Sequence, residues 1–307
     1  LSDPFNQTNS SSSSFILVGV PSLEAFSTCL GILFFLGYVI ALAGNGVVLL
    51  AIRLNSSLRA PFHCFLAMLA VIDVMMVTSI VPKMLSVFWM NSVEISYMSC
   101  FIQMFLVHST TSEESGLLLA MAVDRYVAIC HPLRYQIILN RQTIAQIGLA
   151  IVLRAHLFIV PLAVMVTNLP FCCSHVVPHS YCEHMAVVKL ACTDPRPSML
   201  YSVAGSSLIV GIDVAFIAVS YGMILKTVLG KKWCGKAFST CGCHICVMLL
   251  YYMPGIVSIY AQHFDCGIST WAQVLLADLY LILPTMLNPI VYSMRNKQIR
   301  QVVLRML

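Results

Sequence analysis

The side chains that could do chemistry include histidine, cysteine and glutamate residues crowded into one polar stretch. They are His175, His179, Cys182, Glu183 and His184. Imidazole, thiolate and carboxylate groups bind zinc, but zinc sites require firmer ligand spacing than this. The chain also contains no His-Glu-x-x-His pair of the kind that a metalloprotease uses. We therefore expect these residues to form a loop that closes over a pocket.

Acidic side chains inside long apolar runs form a second candidate group. Asp73 and Glu114 each lie in the middle of such a run. An ionisable group in hydrocarbon is costly and is retained mostly for function or for pairing. Two interpretations therefore remain open, a binding site for a cation or protonated acids that are hydrogen-bonded within the protein. Arg154 and Asp213 interrupt two further runs.

The composition of the chain is that of a membrane protein. The 307 residues are 59% hydrophobic and 9% charged, with a mean hydropathy of +0.89, whereas soluble domains are about one quarter charged. The apolar runs are continuous, which favours helices over the alternating strands of a barrel, and each exceeds the ~20 residues of a membrane-spanning helix. They cover residues 26–52, 61–88, 98–128, 143–167, 198–228, 237–262 and 271–293. The predicted fold is an all-α membrane protein, a bundle of seven transmembrane helices with a short C-terminal amphipathic helix.

The distribution of positive charge predicts how the bundle is oriented. Most of the 17 lysines and arginines lie in connections that face the cytoplasm if the N-terminus is outside, in agreement with the positive-inside rule. The net charge of +5 thus reflects topology and gives no support to nucleic-acid binding. The predicted regions are an extracellular tail at 1–25 with glycosylation sequons at Asn6 and Asn9, a transmembrane domain at 26–293, and an amphipathic membrane-surface helix at 294–307.

The string MAVDRYVAICHPLRY, from Met121 to Tyr135, resembles the signature of the vertebrate odorant receptors. These form a branch of the rhodopsin-like G-protein-coupled receptors. KAFSTC at 236–241 and NPIVY at 288–292 follow in the order and at the separations of that family. The resemblance implies a multi-pass plasma-membrane receptor with an extracellular N-terminus, which binds a small-molecule odorant and catalyses no covalent chemistry. It further implies that the receptor activates a stimulatory G protein of the olfactory type and raises cyclic AMP. Membrane lipids and a trafficking chaperone are the other implied partners, and a structural sodium ion is the only implied cofactor.

The resemblance assigns switching roles to single residues. Arg125 is restrained by Asp124 at rest and contacts the G protein when the sixth helix swings outward. Pro289 permits a local rearrangement, because proline lacks a backbone N–H. The predicted switch residues are Asp124, Arg125, Tyr126, Tyr221, Tyr252, Asn288, Pro289 and Tyr292.

A sodium site and two disulfide bonds are also implied by the resemblance. Asp73 and Glu114 correspond to a pair of acids that holds sodium in the inactive state, with Asn45 and Asn288 beside them. The sequence alone does not fix which cysteines pair. The resemblance implies the pairs Cys100–Cys182, which ties the outer loop to the third helix, and Cys172–Cys192.

Two segments resemble the fish-like class I odorant receptors, namely HSTTSEESG at 108–116 and SYCEHMAVVKLAC at 180–192. This class favours hydrophilic odorants, often aliphatic carboxylic acids, so an aliphatic odorant of this kind is the expected ligand. Class I members often carry an arginine at the outer end of the sixth helix, where this chain has Gln262, His263 and Phe264. Histidine is only partly charged near neutral pH, so we expect weaker recognition of acids.

The predicted pocket lies between the third, fifth and sixth helices beneath the outer loop. His108, Thr111 and Ser112 share one helical face at positions i, i+3 and i+4, and the resemblance implies that this face points inward. The predicted ligand-binding residues are His108, Thr111, Ser112, His184, Met185, Gly255, Ser258, Ile259 and His263.

Two other functions remain open from the sequence. A non-olfactory receptor of the same superfamily, for a small metabolite, would carry the same motifs. An ion-coupled transporter could use the acids at positions 73, 114, 213 and 278 as an ion path. Transporters often contain inverted repeats, and none is visible in this sequence.

Overall fold

The computed structural model describes residues 14–55, 58, 60–172, 174–229, 234–263, 267–295 and 299–302. Long helices dominate this part of the chain. They are α1 (Ser27–Leu54), α2 (Pro61–Met90), α3 (Tyr97–Cys130), α5 (Arg141–Thr167), α7 (Arg196–Leu229), α8 (Cys234–His263) and α9 (Thr270–Arg295), and the shorter helices are α4 (Tyr135–Ile138) and α6 (His184–Val188).

The seven-helix bundle that the sequence predicts is confirmed. Six helices in the described ranges are long and apolar enough to cross a membrane, and α3 gives a seventh span when it is taken with the segment 132–138. That segment turns away from α3 by 114°. It begins at Pro132, which cannot donate the backbone hydrogen bond that would continue the helix. Each long helix starts and ends within about three residues of the predicted run.

Side chains at the helix ends explain several of these boundaries. Ser96 accepts a hydrogen bond from the backbone N–H of Ser99 at the start of α3, and Asn140 accepts one from Thr143 at the start of α5. These caps satisfy N–H groups that have no partner within the helix. At the end of α2, Asn91 adopts the left-handed conformation with a φ of 50°, which stops the helix.

A small sheet at the end of the bundle where α3 begins was not predicted. Strands β1 (Ser14–Leu17), β2 (Glu94–Ser96) and β3 (Val176–Val177) form it in the order β2-β1-β3. The strand β1 is antiparallel to β2 and parallel to β3. Within the tail predicted at 1–25, residues 14–17 are thus ordered, because Phe15 and Leu17 are fully buried. The sequons at Asn6 and Asn9 lie outside the described residues.

The structure contains both predicted disulfide bonds, Cys100–Cys182 and Cys172–Cys192. They hold the outer loop, defined as residues 168–195 between α5 and α7. The first bond fixes the middle of this loop to the N-terminal end of α3, so the loop lies across that end of the bundle.

The predicted amphipathic helix at 294–307 is described only in part beyond α9. Residues 299–302 are helical. Ile299 is fully buried in the same apolar cluster as Tyr292 of α9. This part of the segment therefore packs on the bundle through Ile299, while the remainder lies outside the described residues.

Candidate functional site

A cavity lies beneath the outer loop, between α3, α5, α7, α8 and α9. Its volume is about 130 Å³, roughly ten times the ~10–15 Å³ that a single water requires. Of the predicted pocket residues, six line it: His108, Thr111, Ser112, Met185, Ser258 and Ile259. The cavity therefore has room for a small organic molecule at the predicted place.

Two predicted residues occupy different positions from those expected. Gly255 is absent from the cavity wall and packs behind Tyr280, where an added Cβ would lie 2.7 Å from the ring. His184 also stands behind the wall, with its ring 5.9 Å from the ring of His108 and its Nε2 3.1 Å from Ser198 Oγ. Burial, together with the nearby His108, lowers the pKa of His184 to about 3, so this imidazole is neutral. The side chain of His263 lies outside the described part of the structure.

The cavity wall includes polar residues that sequence reasoning missed. Ser202 and Ser206 on α7, Tyr251 on α8 and Tyr280 on α9 all line it. The two serines are four residues apart in an apolar helix, a spacing that puts them on one face. That spacing was the one available signal in the sequence. The inward direction of the tyrosines follows from the packing of α8 against α9 and had no such signal.

One polar atom on the α3 wall is buried without a partner. It is Ser112 Oγ, which makes no hydrogen bond within the described structure. Buried polar atoms are normally satisfied by protein or water. A hydrogen-bonding group of a ligand would satisfy Ser112, and the imidazole of His108 lies one helical turn away on the same wall.

The described lining contains one acid and neither lysine nor arginine. The acid is Glu183, whose Oε2 accepts a hydrogen bond of 2.7 Å from Ala186 N and so caps α6. Burial raises the pKa of Glu183. Its carboxylate is therefore committed to the loop helix, and the described wall supplies no cation for an acidic ligand.

An ion pair with two attached hydroxyl groups lies directly below the cavity. Arg154 of α5 pairs with Asp213 of α7 at 2.6 Å. Ser115 of α3 donates to the other carboxylate oxygen at 2.6 Å and is 3.0 Å from the hydroxyl of Tyr252 on α8. We call these four residues the Asp213 network. It joins α3, α5, α7 and α8 at one level, and Ser115 belongs to the cavity floor as well.

The Asp213 network accounts for the two charges that interrupt the predicted runs. Each charge compensates the other, so both residues are tolerated within their membrane-spanning helices. Asp213 is fully buried beside the arginine, which removes it from the ion path that a transporter would need. Residues 59 positions apart in sequence form this pair, so no local pattern announces it.

The acids Asp73 and Glu114 lie together deeper in the bundle. They are 0% and 2% exposed. The side-chain amide of Asn288 donates to both of them at 3.2–3.3 Å. Asn45 lies in the same region, but its amide donates to the backbone oxygens of Ala41 and Thr285 at 3.0 Å.

Among the described residues, no group of three or more histidine, cysteine or acidic side chains is placed to hold a metal ion. The loop histidines are engaged elsewhere. His175 stacks on Tyr97, and His179 meets Tyr181 edge-on with ring centroids 4.5 Å apart.

The cytoplasmic end of α3 carries a restrained arginine. Arg125 pairs with Asp124 at 2.7 Å, and its guanidinium lies 4.1 Å from the centre of the Phe62 ring. Tyr135 of α4 donates a hydrogen bond of 2.7 Å to the same carboxylate. Burial, and then the charge of Asp124, raise the pKa of Tyr135. Arg125 is thus held by a carboxylate on one side and by an aromatic face on the other.

The remaining predicted switch residues lie in the half of the bundle that is farther from the outer loop. Tyr221 of α7 is 2.7 Å from His244 of α8. Pro289 packs against Gly44 of α1, where an added Cβ would lie 2.8 Å from the proline ring. The hydroxyl of Tyr292 is buried without a partner, and that of Tyr126 is 3.3 Å from His131 at the end of α3.

Comparison with known proteins identifies the family. The olfactory receptor family model matches residues 34–307. Human olfactory receptor 52I2 is 52% identical over 305 residues, 98% of this chain and 87% of that protein. Human olfactory receptor 52I1 is 50% identical over 97% of this chain and 94% of its own length, and human olfactory receptor 51E2 is 44% identical with the same coverage. The chain belongs to the olfactory receptor family.

Membership of the olfactory receptor family confirms the resemblance to the class I receptors. Members of this family are signalling receptors and not enzymes, and small-molecule odorants and G proteins are their general partners. The olfactory receptor described here is a multi-pass membrane protein. Its cavity, its buried acids and its restrained arginine follow one another from the end of the bundle that carries the outer loop to the opposite end.

Replacement of Asp213 by alanine should destabilise this olfactory receptor strongly. Arg154 would then be left as an uncompensated charge within the bundle, and breaking a buried ion pair costs about 3–5 kcal/mol. We expect a clearly lower thermal unfolding temperature for the purified receptor in detergent. The matched control is Asp194→Ala, because Asp194 pairs with Arg196 at side-chain exposures of 62% and 88% and exposed pairs contribute little. Equal unfolding temperatures for the two variants would contradict the assigned role.

Proposed function

We propose that this receptor detects a small aliphatic odorant in the cavity and activates a stimulatory, olfactory-type G protein, which raises cyclic AMP. The observation that carries this proposal is that Ser115 belongs both to the cavity wall and to the Asp213 network. It lies in the cavity floor and is hydrogen-bonded to Asp213 and next to the hydroxyl of Tyr252 on α8. A ligand that presses on the floor therefore acts on the helix whose movement exposes the G-protein site.

The proposed ligand has one hydrogen-bonding head and an apolar chain. Ser112 Oγ provides an unpartnered polar atom for the head, and the imidazole of His108 lies beside it in the cavity wall. Val107, Ile159, Leu162 and Ile209 are among the apolar residues that pack around the chain. Alcohols and carbonyl compounds meet these requirements without a counter-charge. A carboxylate requires a cation, for which His263 at the end of α8 is our candidate.

In the proposed mechanism, α8 links the cavity to Arg125. Tyr252, the member of the Asp213 network on α8, lies about two helical turns from His244, which is paired with Tyr221. Rotation of α8 at Tyr252 separates its cytoplasmic end from α7 and opens the surface at which Arg125 lies. Arg125 then exchanges its ion pair with the buried Asp124 for contacts with the G protein.

The receptor is proposed to act at the plasma membrane with its N-terminus outside. The positive charges of the connections support this orientation. Both disulfide bonds lie on the side predicted to be extracellular, where oxidising conditions hold. Glycosylation at Asn6 and Asn9 and the need for a trafficking chaperone remain predictions.

The signalling proposal is tested by cyclic AMP in cells that express the receptor, with surface staining in parallel. Aliphatic alcohols, aldehydes and acids of graded length are the probes. His108→Ala should raise the half-maximal concentration about fivefold to tenfold, the value of one neutral hydrogen bond. His156→Ala is the matched control, because that histidine is on α5 and 42% exposed at the outer surface of the bundle. Arg125→Ala should abolish the response to every odorant, and His263→Ala should weaken the response to acids alone.

A surface-expressed receptor that is silent toward all probes would contradict the proposed function. Equal potency of the His108 and His156 variants would place the ligand elsewhere. An ionic current that depends on the odorant in these cells, without cyclic AMP, would favour the transporter alternative.

We further propose that Asp73 and Glu114 bind sodium in the resting state. Two buried carboxylates with one amide donor between them are poorly compensated, and oxygen ligands of this kind suit hard cations. Sodium would hold α2, α3 and α9 together and so oppose activation.

Replacing sodium by a bulky organic cation should increase basal and agonist-stimulated nucleotide exchange in receptor membranes. Glu114→Gln should remove this dependence on sodium, because the variant loses one of the two charges. Glu113→Gln is the control, since Glu113 faces His156 at 3.9 Å on another side of α3 and should keep the dependence. A wild-type receptor whose exchange rate is the same with and without sodium would exclude the site.

A further inference from the structure

The cavity is covered on its extracellular side. Tyr181, Glu183 and Met185 of the outer loop line it, and all three are buried. The disulfide Cys100–Cys182 ties this part of the loop to α3, and Cys182 N donates to the side chain of Gln103 at 2.9 Å. Entry from the extracellular water would require this fastened segment to move.

The cover is also fastened to α9. Ser180 Oγ donates a hydrogen bond of 2.5 Å to Asp278, which is fully buried. The same loop strand pairs with β1 through Val176 and Val177. The loop is therefore held from three sides, by α3, by α9 and by the N-terminal strand.

A second space lies beside the cavity, between the outer halves of α7 and α8. Its volume is about 280 Å³. Ser206, Val210 and Ile259 line both this space and the cavity. The two spaces therefore share part of their walls.

We expect the outer side of this space to face the hydrocarbon of the bilayer, because the apolar side chains beside it are exposed. Ile212 on α7 and Val257 on α8 are each 45% exposed on the flanking surface. An added Cβ on Gly211 would meet no atom within 4 Å, so α7 leaves a gap here. Across the gap, Ser207 Oγ and the Tyr260 hydroxyl are 3.1 Å apart and link α7 to α8.

We propose that apolar odorants enter the cavity sideways from the bilayer, through this space, and that the Ser207–Tyr260 hydrogen bond is the gate. The inference rests on the proposed function, because it takes an odorant as the ligand of the cavity. Each methylene favours the hydrocarbon phase by about fourfold. Longer odorants are therefore concentrated at the entrance, while the fastened loop keeps the route from water closed.

The test compares two glycines on the same helix. Gly211→Phe fills the space, and Gly211 does not line the cavity. Gly222→Phe adds the same ring to α7 at another exposed glycine where a Cβ also meets nothing within 4 Å. Onset and wash-out of the response to a series of aliphatic alcohols are followed with a real-time cyclic AMP sensor, at matched surface expression.

Gly211→Phe should slow both onset and wash-out by about tenfold, within the range over which association rates vary among related variants. The half-maximal concentration should stay unchanged, because an obstructed path slows entry and exit alike. Gly222→Phe should behave as wild type. Tyr260→Phe removes the gate hydrogen bond and should accelerate both phases, and Val214→Phe, at another residue of the space that is not in the cavity wall, should repeat the slowing.

Unchanged rates in both Gly211→Phe and Val214→Phe, with wild type responding, would overturn lateral entry and leave the proposed function intact. A change in half-maximal concentration without a change in rate would also overturn it, since that result means an altered cavity. A silent wild-type receptor at the surface would contradict the proposed function itself and, with it, this inference.

Discussion

The ion pair between Arg154 and Asp213 is the interaction on which the rest of the bundle depends. A charge in the middle of a transmembrane helix is tolerated only where it is compensated. The pair therefore fixes the rotation and the depth of α5 relative to α7. Asp213 accepts a further hydrogen bond from Ser115, which extends the constraint to α3, and Ser115 meets Tyr252 of α8. Four helices are thus set at one level by a single compensated charge.

This level divides the receptor into two halves with different chemistry. Above it, the cavity combines apolar walls with hydroxyl groups and a histidine, closed by a loop that two disulfides hold. Below it lie the buried acids and the restrained arginine, which are the proposed sites of sodium and of the G protein. Because α8 contributes Tyr252 to the dividing level and His244 to the lower half, it is the element through which one half can affect the other.

Features that follow from local pattern could be predicted from the sequence, and features that depend on how helices rotate against each other could not. The seven apolar runs and the shared face of His108, Thr111 and Ser112 belong to the first kind. The pairing of Arg154 with Asp213 belongs to the second, and so does the presence in the cavity wall of Tyr280, which stands in front of Gly255. The strand at Ser14–Leu17 was missed for a related reason, since its partners come from two distant loops.

The central claim is that the cavity floor is coupled to α8 through Ser115 and Tyr252. The most direct test is a double-mutant cycle with Ser115→Ala and Tyr252→Phe, in which the maximal cyclic AMP response to one odorant is compared at equal surface expression. If the two hydroxyls act through one contact, each single variant reduces the response. The response of the double variant is then no smaller than that of the single variant with the smaller response. Independent effects that add in the double variant, or a full response in either single variant, would contradict the coupling.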